Sequence, residues 1–209
     1  MKKNKNIILP LVVLVIAIVA SAYTKETSSF KKKGTTTVLE NKQQQTVNLF
    51  VTHGHCSTPF AGIVEDLEVK IPVRIDLGNP LENMEISFAI NPNSFNVCAG
   101  KDLTKRIKTP GLFIGKNDEK ITFKSTNIYT MGIDWYQVNG KMSIKGVEKE
   151  VKLFVTGIRK SYETSASSLV IESKMNLFDW GIDYDKIVNG KSTKVATKWL
   201  HMNMRVKIS

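Results

Sequence analysis

The chain has 209 residues, 42% of them hydrophobic, and a formal net charge of +11. That length and apolar share suffice for one β domain of ordinary size with a real core, and they exclude a disordered or collagen-like chain. The charge does not gather into a phosphate-tracking groove: Lys2, Lys3 and Lys5 precede any acid, and Lys25, Lys31, Lys32, Lys33 and Lys42 fall in a polar stretch. The rest is spread over strand-like segments, where outward lysines discourage edge pairing, so nucleic acid is not an expected partner.

Residues 1–22 have the three-part layout of a secretory signal: lysines, an apolar run over 7–20, and Ala20-Ser21-Ala22 suited to cleavage. The run is short of the ~20 residues a membrane helix needs and contains Pro10, so export to the periplasm or beyond is expected rather than anchoring. Residues 23–45 turn to Thr, Ser, Lys and Gln and read as a flexible polar leader, leaving 46–209 as the folded domain. Lys31-Lys32-Lys33 could touch a membrane surface in passing, although a solvated linker accounts for it as well.

The domain opens with Val47, Leu49 and Val51 alternating with Asn48, Phe50 and Thr52, a strand apolar on both faces. His53-Gly54-His55-Cys56 follows, and Pro59 and Gly62 suggest a bend or bulge. Leu67, Val69, Ile71, Val73 and Ile75 predict the next strand, with Pro72 marking an edge-like or bulged site. Gly78-Asn79-Pro80 is a turn, and Met84, Ile86, Phe88 and Ile90 return at period two. Residues 102–108 predict a short helix ending before Pro110, with Leu103 and Ile107 on one stripe. Ile121 and Phe123 resume strand spacing, and the segment 128–138 carries Trp135 and Tyr136. The clearest hairpin spans 140–158, with Met142 and Ile144 on one arm and Val151, Leu153 and Val155 on the other. Leu169, Ile171, Met175 and Leu177 predict another strand, residues 178–182 a corner, and Leu200, Met202, Met204, Val206 and Ile208 the last strand. About eight strands and one short helix predict an all-β, closed antiparallel barrel, filled by side chains or holding one small ligand.

The only cysteines, Cys56 and Cys98, read in an exported chain as one disulfide, which would stabilise the fold by roughly 4 kcal/mol in the chain-entropy model. The alternative is a metal site at His53, His55 and Cys56, because imidazole and thiolate suit copper or zinc. His201 lies on the polar face of its strand. The chain carries no nucleophile elbow, zincin motif or phosphate loop. Asp179, Asp183 and Asp185 beside Gly181 suit turn geometry better than acid–base work, so no enzyme is expected.

Several motifs, taken in order, resemble the YceI-like family of exported, lipocalin-like proteins, many described as polyisoprenoid-binding. Gly140-Lys141-Met142-Ser143-Ile144-Lys145-Gly146 is similar to the family's Gly-x-Leu-x-Ile-x-Gly hairpin. The stretch Ile121-Thr122-Phe123-Lys124-Ser125-Thr126 resembles its Ile-x-Phe-x-Ser strand. Asp102-Leu103 with Gly111-Leu112-Phe113, and Asp179-Trp180-Gly181-Ile182, resemble its helix flanks and its Asp-Phe-Gly-Ile corner. His53 matches a histidine common in the family's first strand. Leu177 stands where the family often has Arg, and His55-Cys56 departs from it.

The resemblance implies a barrel that carries or stores a long-chain isoprenoid or fatty amphiphile non-covalently, with no other cofactor. Burying about ten methylenes at ~0.8 kcal/mol each yields a gross ~8 kcal/mol, enough for micromolar binding after ordering costs. The expected lining is Val69, Ile71, Met84, Ile86, Phe88, Ile121, Phe123, Met142, Ile144, Leu153, Val155, Met175, Leu177, Met202 and Met204. A barrel filled by its own side chains shows the same alternation and stays open as a reading. Such a barrel would act as a partner-binding surface, and a homodimer is compatible with either.

Overall fold

Period-two alternation gives each strand one apolar face, and eight such strands bury those faces by closing on themselves. A computed structural model describes residues 37–38, 45–53, 56–71, 84–117, 119–159, 161, 166–192 and 198–207. Strands β1 (Thr37–Val38), β2 (Gln45–His53), β3 (Cys56–Ile71) and β4 (Glu85–Val97) precede helix α1 (Lys101–Ile107). Then come β5 (Ile121–Gly132), β6 (Trp135–Ile144), β7 (Val147–Ile158) and β8 (Ser168–Asn176), a 3-10 turn (Leu177–Trp180), helix α2 (Tyr184–Asn189) and β9 (Trp199–Lys207). The pairing order β3-β2-β9-β8-β7-β6-β5-β4 closes through β3–β4, every pair antiparallel, and β1 adds two residues beside the end of β3. This is the expected eight-stranded closed barrel.

Local differences have physical causes. The second strand starts at Cys56, well before the expected Leu67, because an unbroken register from Gln45↔Val64 to His53↔Cys56 zips it to β2 through Pro59 and Gly62. The irregularity signalled by those two residues falls on the other edge, where the β3–β4 register shifts between Ala61 and Ile63 and again between Glu65 and Glu68. Asp66 takes φ 50° at the second shift. A Cβ on Gly62 would stand 2.8 Å from the Phe95 ring, so glycine there makes room for an aromatic inside the barrel. Val73, Ile75 and Pro72 lie outside the described residues, as do residues 1–22 and 39–44. Helix α1 falls within one residue of its expected place.

Up-and-down connectivity puts alternate connections at opposite ends. At one end, hereafter the helix end, are the links 98–120 and 177–198 with α1, the 3-10 turn and α2. At the other, the turn end, are the Ile133-Asp134 turn and the links before β4 and β8. Leu177, expected on a strand, instead begins the 3-10 turn, because Asn176 caps it by accepting from Phe178 N at 3.2 Å and Gly181 closes it in the left-handed region. Helix α2 was not expected: Asp183 caps it by accepting from Lys186 N, and Gly190 ends it at φ 74°.

The expected Cys56–Cys98 disulfide is not formed: Cys98 is a free, exposed thiol. Its N–H donates to Pro59 O at 3.2 Å, which seats it beside Pro59, three strand residues from Cys56. That is about 10 Å of strand, beyond the reach of an unstrained disulfide. Cys98 should therefore react with a thiol reagent in the folded, unreduced protein. A Cys98→Ser variant that loses no rapidly reacting thiol would contradict this.

Candidate functional site

Fourteen of the fifteen expected lining residues, from Val69 to Met204, are buried at 0–8% exposure, and the side chain of Ile71 lies outside the described residues. They do not form one uniform interior. Toward the helix end, Phe60, Phe95 and Phe113 meet edge-on with centroids 5.2 to 5.9 Å apart. Phe88 and Phe123 stack at 5.2 Å, and Trp180 Nε1 donates to Met142 O at 3.3 Å. Ile121, Phe123, Met142, Ile144, Met175 and Leu177 belong to this filled half. Toward the turn end the buried side chains apart from the rim are aliphatic or methionine, among them Val69, Ile86, Ile128, Val138, Leu153, Val155, Leu169, Ile171 and Met204.

Buried polar groups stand at the rim of that second half: Gln45, Thr130 and Tyr136. Arg159 grips Asp134 with two parallel hydrogen bonds, the bidentate geometry in which an Arg–carboxylate pair is strongest. Burial, and then the Asp134 charge, pushes the Tyr136 hydroxyl up to about 12. Tyr136 is thus a neutral donor at any physiological pH. An acid whose folded value lies above its unfolded value of about 10 favours the fold below pH 10 and withdraws that support as pH rises toward 12. Titration of tyrosinate absorbance should show late-ionising tyrosines, because burial also raises Tyr184, and Tyr136→Phe should remove one tyrosine's absorbance change near pH 12.

At the helix end, Lys198 (0% exposed) donates to the carboxylate of Asp185 (2%), and its ammonium lies 5.6 Å from the Phe178 ring centre. The three aspartates weighed as acid–base candidates part company: Asp179 is exposed, Asp183 caps α2, and Asp185 holds Lys198. Ser173, an inward polar residue, donates to Lys152 O at 2.8 Å where β7 and β8 have stopped pairing, replacing a lost ladder bond.

A feature not anticipated from the sequence lies on the outer face. Phe50, Trp135 and Phe154, 38 to 45% exposed, border a groove of about 650 Å³ with Lys174, His201 and Asn203. His201 contacts Thr52 Oγ1 at 3.3 Å, and burial with the nearby Lys174 lowers its pKa. The available signal was an aromatic residue at an outward strand position, visible at Phe50 and Phe154. For the alternative metal set, the register sets His53 against Cys56, while His55 and the side chains of His53 and Cys56 lie outside the described residues.

A family model described as the YceI-like domain matches residues 29–208. BcnA of Burkholderia cenocepacia superposes with a TM-score of 0.55 at 16% identity, over 78% of this chain and 96% of BcnA. A YCEI protein of Campylobacter jejuni gives 0.47 at 13% identity, over 71% of this chain and 80% of that one. A polyisoprenoid binding domain from Saccharophagus degradans gives 0.46 at 12%, over 81% and 97%. No curated protein sequence matches the chain. The likeness to BcnA shows the shared barrel fold. With a family match that takes in every described strand from β1 to β9, the chain belongs to the YceI-like domain family.

Proposed function

We propose that the barrel holds a long-chain apolar molecule, isoprenoid-like or fatty, in its turn-end half, and that the chain is exported to carry or store it. The observation that carries this is the asymmetry of the interior: aromatic rings and helices plug one end, whereas aliphatic and methionine side chains line the other. Aliphatic walls accept a chain without demanding a shape, and methionine adjusts to it. Gln45, Thr130 and Tyr136 offer polar contacts at the rim for the ligand's head. Residues 1–22 and the YceI-like membership support export and the ligand class. No residue is assigned a chemical step.

Native mass spectrometry of protein from an exporting host, followed by organic extraction, should find a stoichiometric long-chain adduct. Val138→Phe and Ile171→Phe, each filling the aliphatic half, should reduce adduct occupancy at least about tenfold, because every excluded pair of methylenes forfeits about that factor. A bare mass for the unsubstituted protein, or full occupancy in both folded variants, would overturn the proposal.

A further inference from the structure

The β5–β6 hairpin ends in an apolar point at the turn end of the barrel. Ile133 is 90% exposed, and Met131 and Trp135 beside it are 47% and 45% exposed. A large aliphatic side chain held almost wholly in water is unfavourable unless something covers it. The turn is also rigidly built. Asp134 occupies φ 59°, its carbonyl accepts from Gly157 N at 2.7 Å, and its carboxylate is clasped by Arg159. A Cβ on Gly157 would come within 3.1 Å of Asp134 Cβ, so the glycine lets the turn lie down on β7. The only acid of the turn is thereby drawn back to 9% exposure and neutralised, leaving a tip with no uncompensated charge.

The surroundings are basic. Pairing runs Trp135↔Thr156, Thr156↔Val170, Val170↔Arg205, which places Arg205 on the same outer face three strand spacings from Trp135. Lys207, at the end of β9, lies on that face too, whereas Lys152 and Lys174 stand farther toward the helix end with Glu150 and Glu172 as the acids near them, and Glu172 accepts from Asn203 at 2.8 Å. A convex apolar tip, an adjacent tryptophan and a flanking basic face are the parts of an interfacial anchor for an anionic bilayer. A second copy of the chain fits the tip less well, because a stable dimer needs a self-complementary patch of about 800 Å² per partner rather than a point of three side chains.

We propose that Ile133, with Met131 and Trp135, inserts into the surface of an anionic membrane and sets the turn end of the barrel against it. The assignment deepens the carrier reading and rests on it only for its purpose, since a chain-holding barrel must meet a bilayer to load or discharge.

The test uses protein from the exporting host and vesicles of phosphatidylcholine with phosphatidylglycerol, part of the lipid carrying brominated chains. Bromolipid should quench tryptophan emission, and the quenching should vanish in Trp135→Phe, a readout specific to the tip. Ile133→Asp should weaken vesicle partition at least about tenfold, while Ile133→Leu retains it, and phosphatidylcholine alone should bind less than the anionic mixture. Equal partition of Ile133→Asp, or quenching that survives Trp135→Phe, would overturn the proposal. So would an unsubstituted protein whose dimer, rather than its vesicle binding, is lost on Ile133→Asp. Extracting each sample for its ligand separates the two claims: Ile133-dependent docking without any long-chain adduct defeats the carrier reading alone, and an adduct with Ile133-independent docking defeats this one alone.

Discussion

Lys198→Ala should lower the unfolding free energy by about 3–5 kcal/mol, read as a lower urea midpoint at unchanged slope. The reason is the asymmetry of a buried ion pair. Lys198 and Asp185 are almost completely removed from water, and removing the ammonium leaves a carboxylate buried in the first turn of α2 without its cation. The site also joins three elements of the plug, since Lys198 O accepts from Leu177 N at 2.8 Å and the ammonium faces the Phe178 ring. Replacing both partners by apolar residues of similar size, Lys198→Met with Asp185→Leu, should recover most of the loss, because no charge is then stranded. A single variant within about 1 kcal/mol of the unsubstituted protein would mean that water reaches the pair.

The barrel was legible because its strands follow one rule. Wherever an inward residue is apolar and its neighbours polar, as at Met142, Ile144, Leu153 and Met202, alternation located the strand and its buried face. It failed where the backbone departs from that rule while keeping its hydrogen bonds. Pro59 and Gly62 read as punctuation, yet β3 runs through them, because Pro59 can still accept from Cys98 and Gly62 leaves space for Phe95. Leu177 keeps the burial that the alternation predicts but leaves the strand, because a four-residue 3-10 turn preserves the burial and not the period. The signals of α2, Asp183 before and Gly190 after, were present in a helix too short for its stripe to register. The candidate site was less legible. Period two marks an inward face but not whether that face is plugged by aromatics or lined by aliphatics, and Lys198–Asp185 is a contact between residues whose types are ordinarily exposed.

Gly140→Ala should destabilise the fold by about 3 kcal/mol, the upper end of ordinary overpacking. Gly140 faces inward on β6 between Val138 and Met142, opposite Ser125, where the β5–β6 register slips by one residue before Asn127. That slip brings β5 close: a Cβ on Gly140 would stand 2.5 Å from Lys124 O and 2.5 Å from the Phe123 ring. The ring could turn aside, but the carbonyl belongs to a strand and cannot. The two clashes are separable by experiment. Adding Phe123→Leu to Gly140→Ala should recover only part of the loss, because the backbone clash remains, whereas full recovery would show that the ring alone needed the space. Phe123 stacks on Phe88, so the glycine that heads the family's hairpin motif has a definite task here: it seats the ring that closes the filled half of the barrel. If that division of the interior is the basis of ligand binding, Gly140→Ala should also alter the occupancy of extracted chains in whatever fraction of the protein folds. Unchanged occupancy would confine the role of Gly140 to stability.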